Sequence, residues 1–414
     1  MTSQFSQFYK KSLKERQKII KEYSKLSAEE SALLNKEGSL SLETANHMIE
    51  NVIGTLSFPL GLATNFSING RDYVVPMALE EPSVVAAASN AAKLSCGFKA
   101  VADESIMVGQ IQLVNPENPQ KAKETVDENK KQLMEKANSR DSTLINLGGG
   151  VKDIKVRVLE TERGSMLIVE LFVNVKDAMG ANAVNSFCET IKEKLIELTN
   201  TKVRARIITN LCIARMVKAE ATWKKEVIGE ETIEAVLDAY AFAQADQFRA
   251  TTHNKGIMNG IDAVALATGQ DFRALEAAAH SYASLGKKYS PLTVYEKDSE
   301  GNLIGRIALP LAVGIIGGAT KTNPVAQTAL KILGIKSTQE LAMVMACVGL
   351  ANNFAALRVL STEGIQKGHM KLHAQNIAVN AGAEKKQVDE TAEKMIKDNN
   401  ISVSHAKEIL EGMK

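Results

Sequence analysis

The sequence predicts an α/β (α+β) protein: a large helix-rich domain, a small ferredoxin-like domain inserted into it, and a mobile C-terminal helical flap. The chain has 414 residues, which is room for two or three domains with a sizeable core. Residues 105–212 alternate strand and helix patterns in the order β-α-β-β-α-β, which is the ferredoxin-like plan. We assign 1–104 and 213–366 to the large domain and 367–414 to the flap.

The chain before residue 105 predicts helices, then a hairpin, then another helix. A basic amphipathic helix and a second short one are expected within 10–37. Asn69 and Gly70 lie between two short apolar runs, which is a hairpin signature. Pro82 is expected in the first turn of a helix at 81–94, because small residues follow it.

The inserted domain is predicted from periodicity and from one glycine break at 148–150. Its expected elements are a strand at 106–114, helical structure at 119–139, paired strands at 154–162 and 165–175, a helix at about 178–198 and a strand at 202–210.

The rest of the chain has a mainly helical pattern. A long helix is expected before residue 249, another at 274–285, and a buried helix pair within 325–362. The stretch 249–260, RATTHNKGIMNG, has no helical or strand period and is interpreted as a loop. The segment after Gly368 is richer in Lys, Glu and Asn, so it predicts a short helical appendage that moves independently.

Composition excludes several classes of function. Lys and Arg number 50 against 48 Asp and Glu, so the net charge of +2 gives no general attraction to nucleic acid. No apolar run is expected to reach the roughly 18 residues that span a bilayer, and the N-terminus lacks a signal-peptide core. The four cysteines form no CxxC pair, which indicates buried thiols in a reducing compartment. A cytoplasmic protein is expected.

Common cofactor and catalytic motifs are absent from the sequence. There is no GxGxxG, no GxxxxGK[ST] and no GxSxG, which disfavours a Rossmann site, a P-loop and the commonest hydrolase nucleophile. His369 and His373 share a helix face, but the Glu of HExxH is missing and no metal is expected. The small residues of DAMGAN (177–182), before a helix, would let the backbone approach a pyrophosphate.

Four ionisable residues lie beside Gly, Pro or Asn rather than on a clean helical face: Glu81, Lys255, Asp271 and His369. The first three also have a structural interpretation. Glu81 could be a favourable charge at a helix N-terminus, Lys255 a surface lysine, and Asp271 the N-cap of the helix that follows it. The residues alone leave these alternatives open.

Eight strings extend over nearly the whole chain. They are ENVIG (50–54), EEPSVVAAAS (80–89), GGG (148–150), DAMGAN (177–182), THNKGIMNGID (252–262), ATGQD (267–271), GGATK (317–321) and GIQKGHMKLH (364–373). In order and spacing they closely resemble the class II, bacterial and archaeal type of 3-hydroxy-3-methylglutaryl-coenzyme A (HMG-CoA) reductase. Asn352 departs from the family pattern, in which Gln-Asn is common at 352–353.

The resemblance implies a four-electron interconversion of HMG-CoA and mevalonate plus CoA with two NADH or NADPH, through mevaldyl-CoA and mevaldehyde. By motif matching, Lys255 stabilises the oxyanion and Glu81 is the proton donor. Asp271 couples these two, and His369 protonates the CoA thiolate.

The resemblance also implies binding residues and an assembly. Ser83, Arg249, Asn259, Glu50 and Asn51 match substrate-binding positions. The inserted domain would bind NAD(P)H, with a contribution from Asp141, Asp177, Met179, Gly180 and Asn182. A carboxylate at 141 accepts a ribose hydroxyl and repels a 2′-phosphate, which favours NADH, although Arg140 beside it could accept the phosphate. A homodimer, or a multiple of dimers, with the active site at the interface is expected.

Two other functions were weighed against this one. A thiolase or acyltransferase needs a nucleophilic Cys with a nearby base, and none of the four cysteines lies in a polar or Gly-rich segment with His. A non-catalytic nucleotide- or CoA-binding protein would be favoured by a broken set of ionisable residues, but all four are present.

Overall fold

The computed structural model describes residues 2–36, 38–362, 370–384 and 386–413. These residues form two β-sheets, one of six strands and one of four, each covered by helices. Separate clusters of buried apolar side chains lie against the two sheets. The mixed α/β class predicted from the sequence is confirmed.

The first part of the chain supplies three strands of the six-stranded sheet. Asn69 and Gly70 form the turn between its first two strands, as predicted, because both adopt a positive φ. The elements are α1 (Leu13–Tyr23), α2 (Ala28–Asn35), α3 (Leu42–Met48), β1 (Leu60–Ile68), β2 (Arg71–Ala78), α4 (Val84–Leu94) and β3 (Ser95–Ala102).

The four-stranded sheet contains the middle of the chain. Its elements are β4 (Ile106–Val114), α5 (Pro119–Glu128), α6 (Lys130–Asn138), α7 (Ser142–Asn146), β5 (Gly150–Thr161), β6 (Gly164–Asn174), α8 (Ala181–Thr199) and β7 (Lys202–Ile208). The strand order is β5-β6-β4-β7 with all neighbours antiparallel. This order matches the ferredoxin-like plan expected from the sequence.

The chain then returns to the six-stranded sheet, whose order is β2-β1-β3-β8-β10-β9. The remaining elements are β8 (Met216–Trp223), α9 (Lys225–Ile228), α10 (Glu230–Ala245), α11 (Gln247–Ala267), α12 (Phe272–Ala283), β9 (Thr293–Lys297), β10 (Leu303–Pro310), α13 (Gly318–Thr322), α14 (Pro324–Leu333), α15 (Thr338–Ser361), α16 (Met370–Asn380), α17 (Val388–Lys397) and α18 (Val403–Glu411). The last three helices pack mainly on one another around their own small core.

The prediction of a loop at 249–260 is wrong, because these residues lie inside the continuous helix α11. Buried polar side chains hide the helical period. His253 Nε2 lies 2.5 Å from Thr293 Oγ1. Asn254 donates to Ser290 O and accepts from Leu292 N, both at 2.9 Å. Side chains that look solvent-facing in the sequence therefore face the core, where each has a partner.

Pro82 also differs from its prediction, since it precedes the N-cap of α4 rather than lying in the first turn. The N-cap is Ser83, whose φ of 76° is in the left-handed region. A residue in that conformation ends the right-handed helix on its N-terminal side. The segment Glu80–Ser83 therefore makes a sharp turn between β2 and α4.

Helix α15 corrects the expectation about apolar runs. By length and composition it could cross a membrane, but 72% of its apolar window is buried inside the fold. It packs against α11, where glycines allow close approach. A Cβ at Gly260 would lie 3.0 Å from Val348 O, and one at Gly349 would lie 3.0 Å from the Ile261 side chain. These properties are those of a core helix.

A chain of titratable groups connects α11 to α12. Burial, and then a hydrogen bond with Glu276, raises the pKa of Asp262 well above its usual range, to about 8. Glu276 pairs with His280 Nε2 at 2.6 Å, and this bond lowers the pKa of the Glu276 carboxyl. His280 Nδ1 lies 2.6 Å from the Tyr289 hydroxyl. At neutral pH the contact between the two helices therefore holds a proton on Asp262.

We expect Asp262→Asn to flatten the pH dependence of stability. The unfolded chain loses the Asp262 proton near pH 4, whereas the folded chain keeps it until about pH 8. The folded state thus binds more protons in this range, so the wild-type free energy of unfolding falls as pH rises, by at most about 1.4 kcal/mol per pH unit. Urea unfolding between about pH 5 and pH 8 measures this slope.

The control is Asp238→Asn, on the exposed face of α10. It should keep the wild-type slope. An unchanged slope in Asp262→Asn would contradict the assignment of the proton.

Candidate active site

Lys255 and Glu81 form an ion pair on the surface of the part of the protein that contains the six-stranded sheet. The distance from Lys255 Nζ to Glu81 Oε2 is 2.7 Å, and the side chains are 60% and 44% exposed. Asn259, one helical turn after Lys255, has its Nδ2 at 3.4 Å from the same oxygen. The structure therefore brings together three of the predicted site residues, and they remain accessible to a substrate.

Two elements determine where this pair lies. Glu81 belongs to the turn between β2 and α4, directly before Ser83, the N-cap of α4. The positive end of the α4 dipole favours a carboxylate there. Lys255 is in the third turn of α11, which packs on β2. The strand thus holds the two charges at a fixed separation.

A buried polar network supports the backbone around Lys255. Asn353 Nδ2 donates to His253 O at 3.2 Å, and Asn353 Oδ1 accepts from Thr293 Oγ1 and from Tyr295 OH. Asn352 Nδ2 donates to Gly256 O at 3.2 Å. Each asparagine therefore contacts a carbonyl that flanks the lysine.

Within this network His253 is neutral. Burial, with a smaller effect from the charge of Arg249, lowers the pKa of His253 to about 3. Neutral imidazole can hydrogen-bond Thr293 without the cost of a buried charge. Two consecutive amides in an apolar helix, Asn352 and Asn353, are a signal for this network in the sequence, although motif matching does not select Asn353.

Arg249 lies in the first turn of α11, where Asp246 Oδ1 accepts hydrogen bonds from Phe248 N and Arg249 N. Burial lowers the pKa of its guanidinium, and none of the ion pairs in the described part of the chain includes it. Six residues separate it from Lys255, or about 240° around the helix axis. The two cations therefore do not point in one direction from α11.

Glu50 and Asn51 are in an extended, exposed segment, residues 49–59, which we call the arm. Asn51 has a φ of 56°. No hydrogen bond within the described residues joins either side chain to the Lys255–Glu81 pair. The arm exposes Ile53 fully and Leu56 to 85%. It therefore presents apolar side chains to solvent, which is costly in an isolated chain.

Within one chain, Asp271 has no hydrogen bond or ion pair with Lys255 or Glu81 among the described residues. Its Oδ1 accepts from Ala274 N at 3.2 Å and pairs with Arg273 at 3.0 Å, because Asp271 is the N-cap of α12. Lys255 is also twelve residues before the end of α11, which is about 18 Å along the axis. The N-cap alternative left open by the sequence is the observed geometry.

The predicted cofactor residues Asp177, Met179 and Gly180 lie between β6 and α8, and Asn182 is the second residue of α8. We call the segment 177–182 the DAMGAN turn. Gly180 is the N-cap of the 19-residue helix α8, with φ 106°. A Cβ there would lie 2.6 Å from Val175, so only glycine fits. The turn therefore presents backbone at a helix N-terminus, an arrangement that accepts a phosphate.

Two carboxylates in this region already have structural partners. Asp177 Oδ1 accepts from Thr338 N, the first residue of α15, at 3.0 Å. Asp141 is the N-cap of α7, and its Oδ1 accepts from Leu144 N at 2.9 Å. The glycine break at 148–150 lies close to the start of the DAMGAN turn, since a Cβ at Gly148 would lie 3.3 Å from Nζ of Lys176, the residue before Asp177. The hydrogen bond between Asp177 and Thr338 thus connects the DAMGAN turn to the start of α15.

The predicted thiolate acid, His369, lies outside the described residues. His373, four positions later, is an exposed residue of α16. Among the described residues no group of three or more His, Cys, Asp or Glu side chains could hold a metal ion.

Known proteins share this fold and these motifs. The family model for hydroxymethylglutaryl-coenzyme A reductase matches residues 12–374. The 3-hydroxy-3-methylglutaryl-coenzyme A reductase of Archaeoglobus fulgidus is 55% identical over 418 aligned positions, which cover 100% of this chain and 95% of that relative.

Solved structures agree with this match. The 3-hydroxy-3-methylglutaryl-coenzyme A reductase from Streptococcus pneumoniae has a TM-score of 0.85 at 38% identity, covering 99% of this chain and 100% of that chain. A structure of the class II enzyme from the same organism, bound to NADPH in open conformations, has a TM-score of 0.82 at 38% identity, covering 97% and 100%. The resemblance found in the motifs is confirmed, and the chain belongs to the class II hydroxymethylglutaryl-coenzyme A reductase family.

Proposed function

We propose that this reductase converts HMG-CoA to mevalonate and CoA through mevaldyl-CoA and mevaldehyde, with Lys255 and Glu81 at the reacting carbonyl. The Lys255–Glu81 ion pair, at 2.7 Å and open to solvent, is the observation that carries the proposal. NADH or NADPH, when bound, supplies the two hydrides.

Lys255 is the group that stabilises negative charge. Hydride addition to a thioester carbonyl leaves an oxyanion, and a fixed ammonium stabilises that charge as it develops. The hydrogen bonds of Asn352 and Asn353 to the flanking carbonyls keep the helix, and with it the lysine, in one position. The stabilisation is stronger once bound substrate excludes water from the pair.

Glu81 is the proton donor in this proposal. Its Oε2 already shares a hydrogen bond with Lys255 Nζ and lies near Asn259 Nδ2. A proton can therefore pass from the ammonium or the carboxyl to the oxygen formed in each reduction. Asn259 orients the carboxylate, and Ser83 and Arg249 are proposed to bind the rest of the HMG group, Arg249 through its carboxylate.

We expect Lys255→Ala to lower kcat by a factor of about 10² to 10³, the usual effect of removing one oxyanion donor. The fold should remain, because Lys255 is exposed and its ion pair contributes little to stability. Loss of reduced-nicotinamide absorbance after adding HMG-CoA measures the rate. Lys18→Ala, an exposed lysine of α1, is the matched control. Wild-type turnover in Lys255→Ala would contradict the assignment.

The position of Asp271 supports an active site shared between two copies of the chain. Asp271 lies beyond the end of α11, about 18 Å from Lys255 along the helix, so it cannot couple to that lysine within one chain. The exposed arm and the 90% exposed Phe248 offer apolar surface that a second copy would cover. We therefore propose a homodimer in which Asp271 of one copy meets the Lys255–Glu81 pair of the other, and in which Glu50 and Asn51 on the arm line the same site.

Mixed dimers test this arrangement. Dimers formed from Lys255→Ala and Asp271→Asn chains should regain about a quarter of wild-type activity, since random pairing makes half of the dimers mixed and each mixed dimer has one intact site. Each variant alone should be nearly inactive. Asn is chosen at 271 because it also serves as an N-cap. If the mixed sample is as inactive as its parents, the site is not shared in this way.

We propose that the DAMGAN turn and Asp141 bind the dinucleotide, with NADH preferred. The backbone around Gly180, at the N-terminus of α8, can approach a pyrophosphate closely because Gly180 has no side chain. The Asp141 carboxylate would repel a 2′-phosphate. The class II enzyme from Streptococcus pneumoniae has been solved with NADPH bound, so the preference for NADH in this chain rests on Asp141.

Asp141→Asn should raise the ratio of kcat/KM for NADPH to that for NADH by about fivefold, because a surface charge pair contributes on the order of 1 kcal/mol. Asn keeps the α7 cap that Asp141 provides through Leu144 N. Asp153→Asn, in β5, is the control. A wild-type preference for NADPH, or an unchanged ratio in the variant, would contradict the role of Asp141.

His369 remains the proposed acid for the departing CoA thiolate, since an imidazole titrates near neutral pH. In sequence it directly precedes α16, and we propose that movement of the C-terminal segment delivers the proton. The cytoplasmic location also remains a prediction.

A further inference from the structure

Gln270, the residue before Asp271, is joined to a second loop by a pair of hydrogen bonds. Its Oε1 accepts from Gly314 N at 2.8 Å, and its Nε2 donates to Gly314 O at 2.9 Å. A side-chain amide thus pairs with both polar groups of one backbone residue. We call residues 311–316, which follow β10, the connecting segment.

The connecting segment is in direct contact with the DAMGAN turn. Ile315 N donates to Asp177 O at 2.9 Å, and Ile316 N to the same oxygen at 3.3 Å. A Cβ at Gly314 would lie 2.5 Å from Met179 N, which leaves no room for any side chain. Gly314 therefore touches Gln270 through its own polar groups and Met179 through its Cα.

Arg215 donates hydrogen bonds to both the connecting segment and the DAMGAN turn. It is only 4% exposed, and its Nη2 donates to Val313 O at 2.6 Å. Its Nη1 lies 3.4 Å from Ala178 O and 3.3 Å from Met179 O. Burial lowers the pKa of the guanidinium to about 10, and none of its hydrogen bonds among the described residues goes to a carboxylate. A cation is buried here to hold three carbonyl groups together.

We propose that Gln270 and Arg215 are positioning residues that hold the DAMGAN turn at a fixed place relative to Asp271. This inference rests on the proposed function, in which the DAMGAN turn binds the dinucleotide and Asp271 acts at the substrate. The route is short: Asp271 is adjacent to Gln270, Gln270 pairs with Gly314, and Gly314 touches Met179. Cofactor and Asp271 are then presented to the substrate by one chain as a single rigid unit.

Hydride transfer explains why the DAMGAN turn must have a fixed position. Hydride transfer requires the nicotinamide within about 3.5 Å of the carbonyl carbon, and a displacement of about 1 Å lowers the rate strongly. Neither Gln270 nor Arg215 is proposed to touch substrate or cofactor. Their effect is on where the turn lies, so their loss should appear in cofactor binding and in kcat, but not in binding of HMG-CoA to the Lys255–Glu81 pair.

The test measures binding as well as turnover, on the full-length assembled enzyme. Gln270→Ala removes the amide pair, and Gly314→Ala places a methyl group against Met179 N. Dissociation constants for NADH and NADPH come from nucleotide fluorescence, and that for HMG-CoA from calorimetry. Each variant should weaken binding of the preferred dinucleotide about five- to tenfold, in keeping with the loss of one or two hydrogen bonds, while HMG-CoA binding stays within about twofold.

Three further results decide the inference. Gln17→Ala, which removes a hydrogen bond from the Gln17 side-chain amide in α1 to Leu34 O in α2, should leave both affinities unchanged. The double variant should bind the dinucleotide no worse than the weaker single variant, because both changes break the same connection. Wild-type nucleotide affinity in either folded single variant, or effects that multiply in the double variant, would overturn the inference. Absence of dinucleotide binding by the wild type would instead overturn the proposed function.

Discussion

The packing of α11 against α15 is the constraint on which the candidate site depends. Gly260 and Gly349 let the two helices approach, and Asn352 and Asn353 use the short distance to bind carbonyls on either side of Lys255. A Cβ at Gly260 would lie 3.0 Å from the Val348 carbonyl, so a larger residue there would require the two helix backbones to move apart by a few tenths of an ångström. The reactive lysine is thus held by the core, although its own side chain is in solvent.

The ion pair itself adds little to stability. Exposed pairs contribute roughly 0–1 kcal/mol, so Lys255 and Glu81 are not together because they attract each other. They are together because β2, the turn before α4, and the third turn of α11 have fixed positions in the core. Such an arrangement keeps both charges available for a substrate, since neither is needed to hold the fold.

Elements with a regular hydrophobic period were predicted well from the sequence. The Asn69-Gly70 hairpin, the strands and helices of the four-stranded sheet and the buried pair α14 and α15 agree with their patterns. The period failed in α11, because His253 and Asn254 face the core and have partners 36 to 40 residues away in sequence. No local pattern contains such contacts.

The candidate site was predicted unevenly for the same reason. Motif matching found Glu81, Lys255 and Asn259, which the structure brings together. It could not find Arg215, which looks like an ordinary strand-flanking arginine and is buried by segments 36 and 98 residues away. It also coupled Asp271 to Lys255, and the length of α11 keeps these two residues apart within one chain. Short sequence separation is not proximity when a helix lies between.

The exposed arm has a consequence for how the protein behaves on dilution. Ile53 and Leu56 leave apolar surface in water whenever the chain is alone, at about 25 cal/mol for each Å². An assembly that covers this surface gains that free energy only while copies stay associated. Thermal stability and specific activity would then rise with protein concentration by mass action, so a value measured at one concentration describes an equilibrium between copies as well as a fold.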